Sequence, residues 1–193
     1  MMRMTDAAES DEALIARYAL GEARPFNELY RRYELRVWRY LERNVGNRAI
    51  ADELLQEVWF AVARGAPDYR PSGSFAGWLF TIARNRMLDM RRARRIEVSL
   101  EELGYEAEPV VSALTAAPAA GPVAALVARD EVSAVRAALQ ELPREQRDAF
   151  LLQLEGDFSV EEIAAITGSS FETTKSRLRY ARARLRELLS EYA

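Results

Sequence analysis

"FSVEEIAAITGSSFETTKSRLRYARARLRELL", residues 158–189, decides the fold. Ser159 and Glu162 stand three apart, just ahead of an apolar run. That is the spacing of a capping box, in which a hydroxyl and a carboxylate each satisfy a free backbone N–H at a helix start. Ser169 and Glu172 repeat the spacing. Phe158 and Ile163 are placed as a hydrophobic staple around the first start. Gly168 falls where a left-handed cap is needed between the two. The stretch predicts a helix over 160–167, a tight turn and a helix over 170–189, which together make a helix-turn-helix.

The second of these helices has two faces. Thr174, Leu178, Ala181, Leu185 and Leu188 line one of them. Lys175, the only lysine of the chain, lines the other with Arg179, Arg182 and Arg186; Ser176 and Tyr180 lie beside them. No acid interrupts the basic residues between Thr173 and Arg186. A solvated amphipathic helix would account for a basic face alone. The tight turn between two capped helices favours DNA reading, because the N-terminal part of the second helix enters the major groove. Thr173, Lys175, Ser176, Arg179 and Tyr180 are then the candidate contacts to bases or phosphates. Arg182, Arg184 and Arg186 lie further along and suit phosphates or acidic side chains of a partner.

Outward from this motif, Leu142-Pro143 separates a helix of about 127–141 from one reaching about Leu154, since proline suits a first helical position. Upstream, residues 96–126 turn acidic and then Ala/Pro-rich, the composition of a flexible linker, with a short helical piece at 99–103. Residues 12–63 carry helical periodicity: Phe26, Leu29, Tyr30, Tyr33, Val37, Tyr40 and Leu41, then, after Gly46-Asn47, Ile50, Leu54, Leu55, Val58, Trp59 and Val62. A Gly/Pro/Ser-rich turn at 64–75 leads to a third helix, from near Ser74 to about Arg95, with Leu79, Ile82, Ala83, Met87 and Met90 as its buried stripe. No strand period is present. The expectation is an all-α chain of two small helical domains, 1–95 and 127–193, joined by a flexible linker at 96–126.

Composition narrows the chemistry. The 193 residues include no cysteine and no histidine, which removes thiolate metal sites, the usual general base and the commonest metal ligand. The carboxylates sit on helical faces and no Gly-rich phosphate loop is present, so neither an enzyme nor a cofactor or metal is expected. Residues 1–23 hold no apolar signal core, and no run suits a membrane span. No membrane insertion and a cytoplasmic location are the expectation. The formal net charge of −3 hides a division. Residues 24–95 carry fifteen basic against eight acidic residues, whereas 96–130 carry one against six. Nucleic-acid binding answers to such local patches rather than to the total.

Two more stretches stand out. In "DYRPSGSFAGWLFTIARNRMLDMRRARR", 68–95, the aromatics Tyr69, Phe75, Trp78 and Phe80 precede Arg84, Arg86, Arg91 and Arg92. Aromatics interleaved with arginines suit single-stranded nucleic acid, in which bases stack and phosphates pair. Core packing of Phe75 and Trp78 is the equal alternative. In "ADELLQEVWFAVAR", 51–64, Asp52, Glu53, Gln56 and Glu57 form a polar edge beside an apolar stripe. Taken alone, that is an ordinary amphipathic helix.

In this order the stretches resemble the sigma-70 family, specifically the small two-domain sigma factors of the extracytoplasmic-function group. The carriers are Trp78-Leu79, Ile82-Ala83 and Asn85, then Leu142-Pro143, Glu161-Glu162-Ile163-Ala164 and Lys175-Ser176-Arg177-Leu178. The resemblance covers about residues 12–95 and 130–190. It implies a transcription initiation factor that binds core RNA polymerase, at the beta-prime clamp and the beta flap, and promoter DNA. It implies that Asp52, Glu53, Gln56 and Glu57 lie on the clamp-docking helix. Gly65, Tyr69 and Asn85 match the pocket for a base flipped from the minus-ten element, and Trp78 the strand-opening region. Arg84, Arg86, Arg91 and Arg92 would hold the DNA backbone. Lys175, Ser176, Arg179 and Tyr180 match the minus-thirty-five readers. Relatives are often held inactive by an anti-sigma factor. The chain departs from the family at Glu172, often glycine, and at Thr174, often valine; Glu172 is expected to complete the second capping box. The rival reading is a one-component helix-turn-helix regulator that binds duplex operator without polymerase.

Overall fold

The computed structural model describes residues 9–70, 73–102 and 124–190. Its regular elements among these residues are helices: α1 (Asp11–Ala19), α2 (Ala23–Val45), α3 (Arg48–Gly65), α4 (Phe75–Glu102), α5 (Ala124–Glu141), α6 (Arg144–Gly156), α7 (Val160–Thr167) and α8 (Phe171–Leu188), with a 3-10 turn at Ala66–Asp68.

The starts and stops follow local chemistry. The Ser10 and Asn47 side chains accept from Ala13 N and Ile50 N and so cap α1 and α3. Gly46 ends α2 in the left-handed region. The helix expected to end near Arg95 continues to Glu102, because no glycine or proline stands in between to stop it. Of the short helical piece expected at 99–103, residues 99–102 are therefore the end of α4, and 103 lies outside the described residues. Most of the expected linker, 103–123, lies outside the described residues. α5 begins at Ala124, ahead of the expected 127. Pro143 is the N-cap of α6 rather than its first helical residue.

α1 to α4 enclose one apolar core. Leu29, Val37, Leu41, Val58, Val62, Phe75, Leu79, Phe80 and Met87 are all fully buried. Each such large side chain contributes roughly 1.5–3 kcal/mol by leaving water. Trp59 receives Phe26 edge-on at 5.5 Å and Tyr30 at 5.0 Å, which holds α3 against α2. In α5 to α8 the core is Leu139, Leu142, Leu151, Leu152, Phe158, Ile163 and Leu178.

The two units meet along a seam. α2 packs on α6, and α4 on α6 and α7. The Phe80 ring meets the Phe158 ring edge-on at 5.2 Å. The Tyr40 hydroxyl donates to Asp148 Oδ1 at 2.6 Å. Burial, then the Asp148 carboxylate, pushes the Tyr40 phenol well above its usual range.

Candidate nucleic-acid and polymerase interfaces

The helix-turn-helix begins with the capping box expected at its first helix. Glu162 N donates to Ser159 Oγ at 3.2 Å and Ser159 N to Glu162 Oε2 at 2.8 Å. Gly168 closes α7 at φ 65°, a conformation that costs a residue with a Cβ. The second start differs from expectation. Ser170, not Ser169, is the N-cap of α8 and accepts from Thr173 N at 3.2 Å. Glu172 therefore lies one position short of the residue that closes such a box and completes none. The Ser169 hydroxyl instead bridges Thr167 Oγ1 and Thr174 Oγ1, each at 2.8 Å. Thr174 is fully buried and also donates to Ser170 O at 3.0 Å. Its hydroxyl thus stitches the turn to the helix, which an aliphatic side chain cannot do.

Burial of Thr174, Leu178, Ala181 and Leu185 turns the opposite face of α8 outward. Thr173, Lys175, Arg179, Tyr180 and Arg182 are exposed, and Ser176 is half-buried. The Lys175 ammonium lies 5.9 Å from the centre of the Phe171 ring, and the Arg179 guanidinium 4.8 Å from that of Tyr180. These contacts shape the basic side chains without neutralising them. Arg182 turns back and donates to Gln153 Oε1 of α6 at 2.5 Å. Arg184 pairs with Glu187 at 2.8 Å.

In the N-terminal unit, Gly65, Tyr69 and Trp78 form one cluster. The Tyr69 and Trp78 rings are 4.9 Å apart, and both pack on Phe75. A Cβ at Gly65 would stand 3.2 Å from the Trp78 ring, so the absent side chain makes room for the indole. Phe75 and Phe80 are fully buried, which settles them as core; Trp78 and Tyr69 stay partly exposed. The Tyr69 hydroxyl is buried and meets no hydrogen-bond partner among the described residues. A native orphan of this kind asks for a ligand or a water.

α4 then divides its arginines by helical phase. Trp78, Asn85 and Arg92 recur every seven residues and share a side. Asn85 and Arg92 are exposed, Arg92 pairing with Asp89 at 2.9 Å. Arg84 and Arg91, also seven apart, face the seam. Arg84 Nε donates to Asp148 Oδ2 at 2.7 Å, and Arg91 to the Asn44 carbonyl at 2.9 Å. Burial, then the nearby Arg144, lowers the pKa of Arg91. The structure therefore brings Gly65, Tyr69 and Trp78 together and separates Arg84 and Arg91 from Asn85, Arg86 and Arg92.

On α3, Asp52, Glu53, Gln56 and Glu57 are all exposed on one side. Asp52 Oδ1 accepts from the Trp38 indole at 2.6 Å. Sequence reading missed Phe60, 67% exposed and one turn beyond Glu57. With Glu57, Arg64 and Arg86 it lines an open hollow. Its signal was an aromatic on the polar stripe of α3, where an apolar helix face gains nothing. A second missed surface is an apolar hollow between α5, α6 and α8, lined by Val135, Leu139, Phe150, Leu154, Leu185 and Leu189. Val135 and Leu154 are 40% and 53% exposed. Among the described residues no helix is long and apolar enough to cross a membrane.

Comparison with known proteins agrees with this layout. Residues 29–96 match the family model for Sigma-70 region 2, and residues 133–185 that for Sigma-70, region 4. The ECF RNA polymerase sigma factor SigE of Mycolicibacterium smegmatis is 36% identical over 171 residues, which cover 87% of this chain and 63% of SigE. The ECF RNA polymerase sigma factor SigM of Mycobacterium tuberculosis is 32% identical over 182 residues, 93% of this chain and 85% of SigM. Among solved structures, the sigma factor RpoE of Bartonella quintana, in complex with the anti-sigma factor NepR, superimposes with TM-score 0.69 at 26% identity. The match covers 86% of this chain and 96% of RpoE. The two matched regions, in this order and on this fold, place the chain in the sigma-70 family as an ECF RNA polymerase sigma factor, a factor of transcription initiation.

Proposed function

We propose that the chain carries out initiation through four surfaces. The exposed edge Asp52, Glu53, Gln56 and Glu57, extended by Phe60, docks on the polymerase clamp. The apolar hollow of α5, α6 and α8 receives the beta flap. The first half of α8, Thr173 to Tyr180, reads minus-thirty-five duplex, where lysine and arginine suit guanine edges and phosphates. The Gly65–Tyr69–Trp78 cluster with Asn85 takes a base flipped from the minus-ten strand, while Arg86 and Arg92 track the backbone. Region 2 then spans 1–95 and region 4 spans 127–193.

The observation that carries this reading is the Tyr69–Trp78 pair beside an unpartnered buried hydroxyl, on the side of α4 that also presents Asn85. Unstacking a base costs a few kcal/mol, and aromatic stacking returns roughly 1–3 kcal/mol per base. Nothing in such a task requires hydrolysis, so the role is non-enzymatic, and the place of work is the cytoplasm, with the polymerase. The Bartonella relative's complex supports an anti-sigma partner here as well. In vitro transcription with cognate core polymerase on a genomic fragment library tests the proposal. Discrete core-dependent start sites are expected; duplex binding that needs no polymerase, with no start sites, would return the operator-binding reading.

A further inference from the structure

Along the seam Arg43, Arg84 and Arg136 each meet a carboxylate, of Glu155, Asp148 and Glu42. Four other arginines do not. Arg91 and Arg94, one turn apart on α4, and Arg144 and Arg147, one turn apart on α6, line a single hollow of about 210 Å³. None of the four makes an ion pair among the described residues, and no carboxylate belongs to the wall. Glu145 follows Arg144 in the chain but does not line the hollow, and Asp148 is engaged by Arg84 and Tyr40. Arg94 and Arg144 are exposed, so the hollow opens to solvent.

Gathering like charges is unfavourable unless an anion joins them. Arg144 is the first residue of α6, so the positive end of that helix lies beside the hollow, and its N-cap, Pro143, makes no side-chain cap bond. Arg147 is only 7% exposed. Burial, then Arg91 and Arg144, lowers its pKa. Its Nη1 donates to the Asn44 carbonyl at 3.2 Å and to Gln140 Oε1, and Arg91 Nη2 donates to the same carbonyl at 2.9 Å. Two guanidiniums are thus held in place on one neutral oxygen, while Arg147 Nε is buried with no partner. A buried, charged donor in that condition asks for an acceptor.

The hollow also has an idle acceptor. Asn44 lines it and is 2% exposed; its Nδ2 donates to the Tyr40 carbonyl at 3.0 Å, which fixes the amide and leaves Oδ1 buried without a donor. Guanidiniums make strong, often forked hydrogen bonds to phosphate. An acceptor among them suits an oxyanion that keeps an O–H. Inorganic phosphate keeps one at neutral pH, and sulfate does not. At roughly 30 Å³ per water, the hollow has room for one hydrated phosphate group and not for a length of nucleic-acid strand.

We propose that this hollow is a binding site for a small phosphate anion, with Arg91, Arg94, Arg144 and Arg147 as its donors and Asn44 Oδ1 accepting from the phosphate O–H. The anion bridges α4 of region 2 to α6 of region 4. Its source is free phosphate or the phosphate end of a nucleotide.

The full chain is titrated at fixed ionic strength with inorganic phosphate, sulfate or adenosine 5′-monophosphate. Binding is read by calorimetry and by melting temperature, which a ligand of the folded chain raises. One phosphate per chain is expected, held about tenfold more tightly than sulfate. Tighter binding of the nucleotide than of phosphate assigns the group to a nucleotide, and weaker binding assigns it to free phosphate. Arg94→Gln with Arg144→Gln changes two exposed side chains and is expected to weaken phosphate binding about tenfold or more, with unfolding in the absence of phosphate still cooperative. Lys175→Gln with Arg179→Gln strips the face of α8 instead and should leave phosphate binding as it was. An equal response to sulfate is the general effect of such salts on folded proteins and overturns the proposal. So does phosphate binding that is lost with the α8 charges rather than with Arg94 and Arg144, or neither heat nor a rise in melting temperature with any of the three.

Discussion

α4 and α8 are both arginine-rich helices, yet they use their arginines in opposite ways. On α8 the charges face solvent, with buried Thr174, Leu178, Ala181 and Leu185 behind them. On α4 the same residue type is split, Arg92 outward and Arg84 and Arg91 into the seam. Helical phase decides which is which, so composition alone misleads. A basic stretch is a binding face only to the extent that the fold leaves its charges unspent.

The largest test of this contrast is Arg84→Ala against Arg86→Ala. Removing Arg84 leaves the nearly buried Asp148 carboxylate without its ionic partner. It is expected to cost ~2–3 kcal/mol in chemical unfolding, below a fully buried pair because Arg84 keeps 19% side-chain exposure. Arg86→Ala is expected to stay within ~0.5 kcal/mol. Equal losses would erase the division of α4. Next comes Trp78→Ala, expected to preserve closed complexes but slow strand opening by about tenfold or more, as loss of ~1–3 kcal/mol of stacking requires. Permanganate footprints like those of the unaltered chain would reject that role. On α8, Lys175→Ala and Arg179→Ala are each expected to cost ~1 kcal/mol or more of promoter use. Affinity for core polymerase, measured by co-sedimentation, should hold. Unchanged transcription from the cognate promoter would show that α8 is merely solvated. The smallest effect separates the two possible starts of α8: Ser170→Ala is expected to cost ~1 kcal/mol in thermal unfolding as a lost cap, and Glu172→Ala under ~0.5 kcal/mol. A larger loss at Glu172 would restore the capping box read from spacing.

Much of the fold was legible because its punctuation is local. Ser159, Gly168, Gly46 and Pro143 mark helix ends through chemistry that acts within four residues. The misplacement by one residue at Ser169 arose where two serines stand side by side and either hydroxyl fits the pattern. The choice falls to Ser170 because Ser169 is engaged by Thr167 and the buried Thr174. The Gly65–Tyr69–Trp78 cluster was foreshadowed because a short loop joins its members. The seam was not. Tyr40, Arg84 and Asp148 lie in three helices far apart in the chain, and such a meeting leaves no period in a single sequence. Phe60 was overlooked for a different reason. An aromatic beside Trp59 reads as core until the phase of α3 shows that only Trp59 points inward, at 5% exposed.

The chemistry of the seam also settles which signals it can hear. Arginine, aspartate, glutamate and tyrosine hold it, and the chain contains no histidine. Without an imidazole, no side chain there has an ordinary titration range near neutral pH. What joins the units there is largely charge paired with charge. Dissolved ions weaken it, since they screen the more exposed pairs. Ionic strength is therefore a variable to which the joint answers.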